Sequence, residues 1–214
     1  MFSENSKLVQ LIQLVADIIF MNLWYLLCCL PIVTIGTATT ALYAGWRAWG
    51  KKESWFKAFR KSFKSDFKRT FLAWLILLPL IGLLSLNLAS VIYYEPSNYL
   101  FSLIFSIVAL AICLLLSAVI FPFYARFECT LKQLFQNGLM LILMHPLRSV
   151  AAMALTWAPL LIFVLLPMTF VQLLMVWLFV YFSAAASICS WIWKKPYRAL
   201  EEQEAEKEAV LTIL

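Results

Sequence analysis

Few of the residue types that carry out chemistry in proteins come together in this sequence. The one histidine, His145, precedes a proline between two apolar stretches, where a membrane-boundary residue is expected and a proton relay is the alternative. Asp17, Glu95 and Glu128 fall in different segments of the chain, so they do not form a carboxylate pair. No Gly-rich phosphate loop and no His/Cys group at metal-ligand spacing occurs. We therefore expect no enzymatic activity, no metal site and no bound cofactor.

The cysteines also lack a pattern that indicates chemistry. Their number is odd, and their spacing fits no metal motif. Most lie inside or at the edge of apolar runs, where cysteine acts as a small packing residue. We therefore expect neither disulfides nor zinc from Cys28, Cys29, Cys113, Cys129 and Cys189.

Composition places the chain in a membrane. Of its 214 residues, 64% are hydrophobic and 13% are charged, whereas an ordinary soluble domain is about 25% charged. A soluble protein of this length could not bury so much apolar surface in its core, so the surplus must face lipid. We predict an all-α, polytopic helical membrane protein with a single transmembrane domain over residues 1–193 and a short cytoplasmic tail over residues 194–214.

Apolar stretches long enough to cross ~30 Å of hydrocarbon occur five times. They are residues 8–33, 70–93, 100–124, 147–166 and 168–193. Residues 131–144 are apolar but shorter, and we expect an interfacial or re-entrant helix there. Pairing Lys68 with Arg148 and Pro79 with Pro159 gives a faint repeat, residues 8–94 with 100–166, followed by the final span 168–193.

The first apolar stretch carries polar side chains. Gln10, Gln13 and Asp17 are spaced i, i+3 and i+7, so they share one helix face, which we expect to contact other helices and not lipid. An ionised carboxylate at mid-bilayer costs about 3 kcal/mol or more, so Asp17 needs a partner or a watery cavity. If the N-terminus is outside, Asp17 lies in the outer half of the membrane. Asn22 lies further along the same stretch.

The same stretch is then interrupted. Pro31 cannot continue the helical hydrogen bonds, Thr34 can cap a new helix through its hydroxyl, and Gly36 allows close backbone approach. We expect a short helix over residues 37–49, about 20 Å long, packed against protein or half inserted, with a second crossing as the alternative. A non-spanning helix gives five crossings with the N-terminus outside. A spanning helix gives six crossings with the N-terminus inside.

This break is the candidate functional locus, because broken helices are tolerated at membrane depth only where protein or a cavity satisfies the backbone. We expect Asn22 and Thr34 to satisfy backbone groups near the break. The candidate residues are Asp17, Asn22, Pro31, Thr34 and Gly36.

Residues 51–69, KKESWFKAFRKSFKSDFKR, have the pattern of a basic amphipathic helix. An aromatic residue recurs every fourth position, and we expect these rings to enter the acyl boundary; they are Trp55, Phe59, Phe63 and Phe67. The opposite side carries basic residues that would contact anionic headgroups, namely Lys57, Lys61, Lys64 and Lys68. Membrane spans on both sides disfavour a nucleic-acid partner. The positive-inside rule places residues 47–69, 126–132 and 194–214 in the cytoplasm and Glu95 outside.

The sequence MNLWYLLCCLPIVTIGTATTALY, followed by WFKAFRKSFKSDFKRT and a span, resembles the YesL-like family of bacterial integral membrane proteins. The shared residues are Asn22, Trp24, Pro31, Thr34, Gly36, Ala41 and Tyr43. Members often have proline where this chain has Thr37. They tend to be encoded beside carbohydrate-uptake and carbohydrate-degradation systems of Gram-positive bacteria. The resemblance thus implies a bacterial plasma membrane and a role in sugar uptake or accessory to it, and it supplies no catalytic residues.

Two functions follow as hypotheses. The first is a non-catalytic accessory or regulatory component of carbohydrate uptake or utilisation. The second is an autonomous small transporter with its site at the Pro31–Gly36 break. We favour the first, because a solute path needs several polar side chains and the later spans offer few. The expected partners are the lipid bilayer with its anionic headgroups and either a carbohydrate transport system or a second copy of the chain.

Overall fold

The first reversal of the chain is at Pro31. The computed structural model describes residues 7–94, 99–127 and 129–202, and its regular structure within these ranges is helical, with no strand. Helix α1 (Lys7–Cys29) ends before the proline, because proline has no backbone N–H and disfavours helical geometry in the preceding residue. A 3₁₀ turn (Ile32–Thr34) leads into helix α2 (Ile35–Gly50). The predicted break and short helix are confirmed.

The remaining elements follow the predicted order. The helices are α3 (Trp55–Ser65), α4 (Phe67–Tyr94), α5 (Tyr99–Tyr124), α6 (Leu131–Met144), α7 (Pro146–Leu165), α8 (Pro167–Gln172) and α9 (Leu174–Ile192), and residues 194–202 are also helical. The single final span expected over residues 168–193 is wrong in one respect, because Leu173 separates α8 from α9. Within α9, Trp177–Tyr181 forms a π-helical segment.

Five of the described helices are long and apolar enough to cross a membrane, which confirms the predicted helical membrane protein. They are Val9–Cys29, Phe67–Tyr94, Tyr99–Tyr124, Pro146–Leu165 and Leu174–Ile192. Many of their large apolar side chains are exposed, as lipid-facing surfaces require; Leu83 and Leu86 of α4 are examples.

Helices α1 and α2 run antiparallel. The Tyr25 hydroxyl, late in α1, lies 3.3 Å from Thr39 Oγ1, early in α2. The Asp17 carboxylate, earlier in α1, lies 2.9 Å from Trp49 Nε1, near the end of α2. The start of α1 therefore lies at the same end of the molecule as the turn between α2 and α3. Helix α2 is not among the five helices that meet the length and composition of a span, and the choice between five crossings with the N-terminus outside and six with it inside stays a prediction.

The same end gathers the basic segments of the described chain. Arg69 Nη1 donates to the Tyr124 hydroxyl at 3.3 Å, which joins the start of α4 to the end of α5. Arg126 forms an ion pair with Glu201 at 2.6 Å. The ring of His145, before α7, contacts the ring of Trp193, after α9. We call this end, formed by residues 47–69, 124–127, 129–132, 145–148 and 193–202, the basic end.

Helix α2 is the centre of the bundle. It packs against α1, α3, α4, α5 and α9, and Ala38 and Ala41 are fully buried. Helix α3 packs against Gly45. An added Cβ there would meet the Trp55 carbonyl oxygen at 3.6 Å and Phe59 Cβ at 3.8 Å. These small residues let neighbouring helices approach closely, and the expectation that the short helix packs against protein is confirmed.

Candidate functional site

The N-terminal turn of α2 crosses α4 and α5 at Gly36. A Cβ added at Gly36 would lie 2.6 Å from Trp74 Cβ and 2.7 Å from Phe121 Cε1, closer than carbon atoms approach without displacement. Only glycine therefore fits between these two aromatic residues. The expected close approach at Gly36 is confirmed, and its neighbours are α4 and α5.

The carbonyls freed by the break are satisfied by side chains. Thr34 Oγ1 lies 2.6 Å from the Cys28 carbonyl oxygen and 2.7 Å from that of Pro31, so its proton can be donated to either. The expectation that this hydroxyl caps α2 is wrong, because it donates to the carbonyls behind it and makes no cap hydrogen bond. The indole Nε1 of Trp74 donates to the Ile32 carbonyl at 2.8 Å.

The break is buried on one side only. Gly36 is buried and Thr34 is half buried, whereas Pro31 and Ile32 are exposed. The first residues of the break are therefore not covered by other helices. The side chains of Thr34 and Trp74 provide donors to carbonyls of the break, which lowers the cost of exposing this part of the chain to lipid.

Asn22 is fully buried, but it does not bond to the break. Its Nδ2 donates to the carbonyls of Trp177 at 3.1 Å and Leu178 at 2.7 Å, and its Oδ1 accepts from the Ser183 backbone N–H at 2.9 Å. All three partners lie in or beside the π-helical segment of α9, where hydrogen bonding departs from the α-helical pattern. The expected role in satisfying backbone groups is confirmed, and the expected location of those groups is wrong.

Asp17 accepts hydrogen bonds from two indoles. Trp49 Nε1 donates to its Oδ2 and Trp55 Nε1 donates to its Oδ1, each at 2.9 Å. These donors lie on both sides of the α2–α3 turn, so Asp17 lies towards the basic end. The expected position in the outer half of the membrane depends on an outside N-terminus, and it stays a prediction.

The polar stripe of α1 is only partly covered. Asp17 is half buried, whereas Gln10 and Gln13 are exposed. Helix α2 ends at Gly50, one residue after the partner of Asp17, so no α2 residue lies beside the earlier turns of α1. The expectation that all three polar side chains face other helices is therefore wrong for the two glutamines.

A cavity of about 510 Å³ lies beside the break, between α1, α2, α5, α7 and α9. Its wall is mainly apolar and aromatic, and it includes Tyr25, Trp74, Trp157, Phe163, Phe170 and Phe182. Of the candidate residues from the sequence, Asp17, Asn22, Pro31, Thr34 and Gly36 all lie outside this wall. The sequence therefore located the break, but the concave site beside it was missed.

The polar groups on the cavity wall already have partners within the protein. Thr39 Oγ1 donates to the Ile35 carbonyl at 2.7 Å and lies within reach of the Tyr25 hydroxyl. Trp157 Nε1 donates to Ser117 Oγ at 3.1 Å. The Thr156 hydroxyl donates to the Ala152 carbonyl at 2.8 Å. The cavity thus offers a ligand mostly apolar and aromatic contact, and few free donors.

The apolar face of α3 packs on protein. Phe59 is 1% exposed within the core, and Phe63 is half buried against the same cluster. The expectation that these rings enter the acyl boundary is therefore wrong for them, because α2 covers that face. The four lysines of the predicted lipid interface are exposed, as expected: Lys57, Lys61, Lys64 and Lys68.

Three tryptophans hold the site together, namely Trp49, Trp55 and Trp74. Of these, the sequence pattern singles out only Trp55, and only as an apolar residue of the basic helix. A buried indole N–H usually finds an acceptor, so the excess of tryptophan near the break was a signal that such bonds exist. Sequence spacing alone could not identify the acceptors. No group of three His, Cys, Asp or Glu side chains that could hold a metal ion occurs within residues 7–94, 99–127 and 129–202.

Comparison with known proteins adds one match. The model of a family described as "Protein of unknown function, DUF624" matches residues 18–88, which are 71 of the 214 residues. The matched segment runs from α1 through the break, α2 and α3 into α4. No curated protein and no solved structure matches the chain. The match is consistent with the resemblance to the YesL-like family without identifying it.

Proposed function

We propose that this protein is a non-catalytic component of a bacterial plasma membrane, accessory to carbohydrate uptake or utilisation. The basic end faces the cytoplasm, and with it the start of α1 and the chain after α9. The support for this orientation is the grouping of basic residues at one end, since positive loops stay on the cytoplasmic side.

The observation that carries the non-catalytic role is that the polar side chains near the break form hydrogen bonds within the protein. Asn22 makes three hydrogen bonds to α9, and Asp17 accepts one from each of two indoles. Thr34 lies within reach of two carbonyls. A path for a polar solute needs polar groups that can exchange partners with that solute. These groups hold the fold instead.

An autonomous transporter is the second candidate, and the cavity beside the break is the observation in its favour. A sugar carries many hydroxyls, and burying them without partners is costly. The wall groups near Thr39, Ser117 and Trp157 are bonded to the protein, so the cavity suits an apolar group better than a sugar. This contrast favours the accessory role.

The link to carbohydrates has a different kind of support. It rests on the resemblance of residues 22–43 and of the following basic helix to the YesL-like family, whose members tend to be encoded beside carbohydrate systems. The contacts of the described residues bear on the non-catalytic part of the proposal alone.

Reconstitution in liposomes tests the two candidates. The purified protein alone should take up no labelled mono- or disaccharide above protein-free liposomes. Together with the sugar-transport proteins encoded beside its gene, it should change their uptake rate. Uptake by the protein alone would support the transporter instead.

A cavity variant shows whether any such uptake uses the proposed site. Leu160 lines the cavity and is 52% exposed, so Leu160→Trp adds bulk towards the space with little disturbance of the core. Leu83→Trp is the matched control, because Leu83 is exposed on α4 away from the cavity. Uptake by the protein alone that is lost in Leu160→Trp and kept in Leu83→Trp would establish the transporter.

A further inference from the structure

A second cavity, of about 450 Å³, lies at the basic end between α2, α3 and the chain that follows α5. Its lining is strongly charged. The cations are Arg47, Lys51, Lys57, Lys61 and Arg126, and the carboxylates are Glu53 and Asp66. Hydroxyls of Ser54, Ser62 and Ser65 complete the polar part of the wall. We call this space the basic pocket.

The two carboxylates leave the basic pocket positive. Asp66 accepts hydrogen bonds from Ser62 Oγ at 2.7 Å and Ser65 Oγ at 3.0 Å, so its oxygens are directed to hydroxyls. Within the described ranges, Arg126 has a carboxylate partner in Glu201, while Lys57 and Lys61 have none within ion-pairing distance. The pocket therefore holds more positive charge than its own acids balance.

Two arginines come together on the wall. Arg47 Nη1 donates to the backbone carbonyl of Arg126 at 3.5 Å, and both arginines line the basic pocket. Burial lowers the pKa of Arg47, and the charge of Arg126 lowers it further, against the opposing effects of Glu201, Asp66 and Glu53. Like charges that approach in a partly buried space are stabilised when an anion lies between them.

The start of α3 adds to the positive potential of the basic pocket. Ser54 is the N-cap of this 11-residue helix and lines the pocket, and its side chain makes no cap hydrogen bond. The N-terminal end of a helix presents backbone N–H groups and a partial positive charge, which favour an anion. Guanidinium, ammonium, hydroxyl and helix N-terminus are together the donors that bind phosphate groups in proteins.

We propose that the basic pocket binds a phosphate group, carried either by a membrane lipid headgroup or by a soluble phosphorylated compound. The site is independent of the accessory function proposed above. It also differs from a diffuse attraction between the basic helix and the membrane surface. Lys57, Lys61, Lys64 and Lys68 form one stripe in the sequence, yet the structure puts the first two in the pocket wall and leaves the last two outside it.

The test uses the full-length protein and two probes. In detergent, calorimetric titration with inorganic phosphate, at constant ionic strength set by chloride, measures the free anion. Native mass spectrometry with phosphatidylglycerol, against phosphatidylcholine, measures binding of a lipid phosphate with an anionic headgroup. One saturable site is expected in at least one of the two arms. The arm that shows it identifies the source of the phosphate.

The two double-lysine variants lose the same charge and form the matched pair. Lys57→Gln with Lys61→Gln, and separately Arg47→Gln, should weaken saturable binding by about tenfold or more, because each removes charge-assisted hydrogen bonds. Lys64→Gln with Lys68→Gln should change it by about twofold or less, since these lysines only add to the long-range field. All four lysines are exposed, and unchanged melting without ligand confirms that the variants fold.

Two results would overturn the proposal. An equal loss in the two double-lysine variants would show diffuse electrostatic attraction without a defined site. The absence of saturable binding in both arms would show that the basic pocket holds no phosphate group. Saturable binding that is lost with Lys57 and Lys61 and kept without Lys64 and Lys68 would support it, whichever probe binds.

Discussion

Asn22 of α1 accepts a hydrogen bond at 2.9 Å from the backbone N–H of Ser183 in α9, 161 residues away. The same side-chain amide donates to the carbonyls of Trp177 and Leu178, so one residue satisfies both a donor and two acceptors of the π-helical segment. A buried polar side chain that is fully bonded in this way fixes the register of two helices in lipid, where no water can replace a missing partner.

Replacing Asn22 should therefore destabilise the fold. Asn22→Leu keeps the approximate volume but leaves the Ser183 N–H and two carbonyls without this partner. Each unsatisfied buried group costs about 1–3 kcal/mol, so we expect a loss of about 3 kcal/mol or more in the free energy of unfolding. Reversible unfolding in detergent, or the midpoint of thermal denaturation, measures it.

Asn87→Leu is the matched control. Asn87 is exposed and accepts one hydrogen bond, from the Ser106 hydroxyl at 2.6 Å, and that hydroxyl also lies 2.7 Å from the Ser102 carbonyl. Its loss should cost about 1 kcal/mol or less. Equal effects of the two substitutions would mean that the π-helical segment does not need Asn22.

A second prediction concerns the hydrogen bonds that Asp17 accepts from two indoles. Asp17→Ala and Trp55→Phe each remove the same hydrogen bond, so their effects on the free energy of unfolding should not add. A double-mutant cycle should give a coupling of about 1–3 kcal/mol. The cycle of Asp17→Ala with Trp24→Phe is the control, because Trp24 packs against Phe56 and its coupling to Asp17 should be near zero. Additive effects in both cycles would contradict the assigned role of Asp17.

The sequence could predict most helices because they depend on local properties. Apolar length gave five spans, and the missing N–H of Pro31 gave the break. Thr130 illustrates how local such signals are: its hydroxyl and Gln133 form a capping box at the start of α6, at the predicted boundary. These features need no information about distant parts of the chain.

The site could not be predicted in the same way, because it depends on pairs far apart in sequence. The sequence shows that burying the Asn22 amide in lipid without partners would be costly. The residues next to Asn22 in the sequence do not show that α9 contains a π-helical segment. Asp17 clearly needs a partner, but its donors lie 32 and 38 residues away. Local patterns also did not determine on which side of the membrane α1 starts, because α2 is shorter than a typical span.

The antiparallel pair α1 and α2 makes a third prediction, about topology. In a cysteine-free background, single cysteines at Lys7 and Lys195 should be labelled by an impermeant maleimide from the same side of the membrane. A cysteine at Tyr94, which is 76% exposed at the opposite end of α4, should be labelled from the other side. Intact and permeabilised cells distinguish the two sides.

The three positions act as controls for one another. Labelling of positions 7 and 94 from one side, with 195 on the other, would contradict this prediction and support five crossings with the N-terminus outside. Labelling of position 94 from the cytoplasmic side alone would contradict the proposed orientation as well.

Gly36 and Gly45 lie in the same helix, and their substitution by alanine should affect stability differently. At Gly36 the new Cβ would lie 2.6 Å from Trp74 Cβ and 2.7 Å from Phe121 Cε1, so α4 or α5 must shift. Overpacking of this kind costs about 1–3 kcal/mol, and the early position in α2 limits any gain in helix propensity. Gly36→Ala should lower the free energy of unfolding.

At Gly45 the new Cβ would meet the Trp55 carbonyl oxygen at 3.6 Å and Phe59 Cβ at 3.8 Å, which are ordinary contacts. Gly45 lies inside α2, where alanine is favoured over glycine by about 1 kcal/mol. Gly45→Ala should therefore leave stability unchanged or raise it. Both variants are measured by thermal denaturation in the same detergent. A neutral Gly36→Ala would show that α4 and α5 do not press on the start of α2, and the break would then be a loosely packed surface turn.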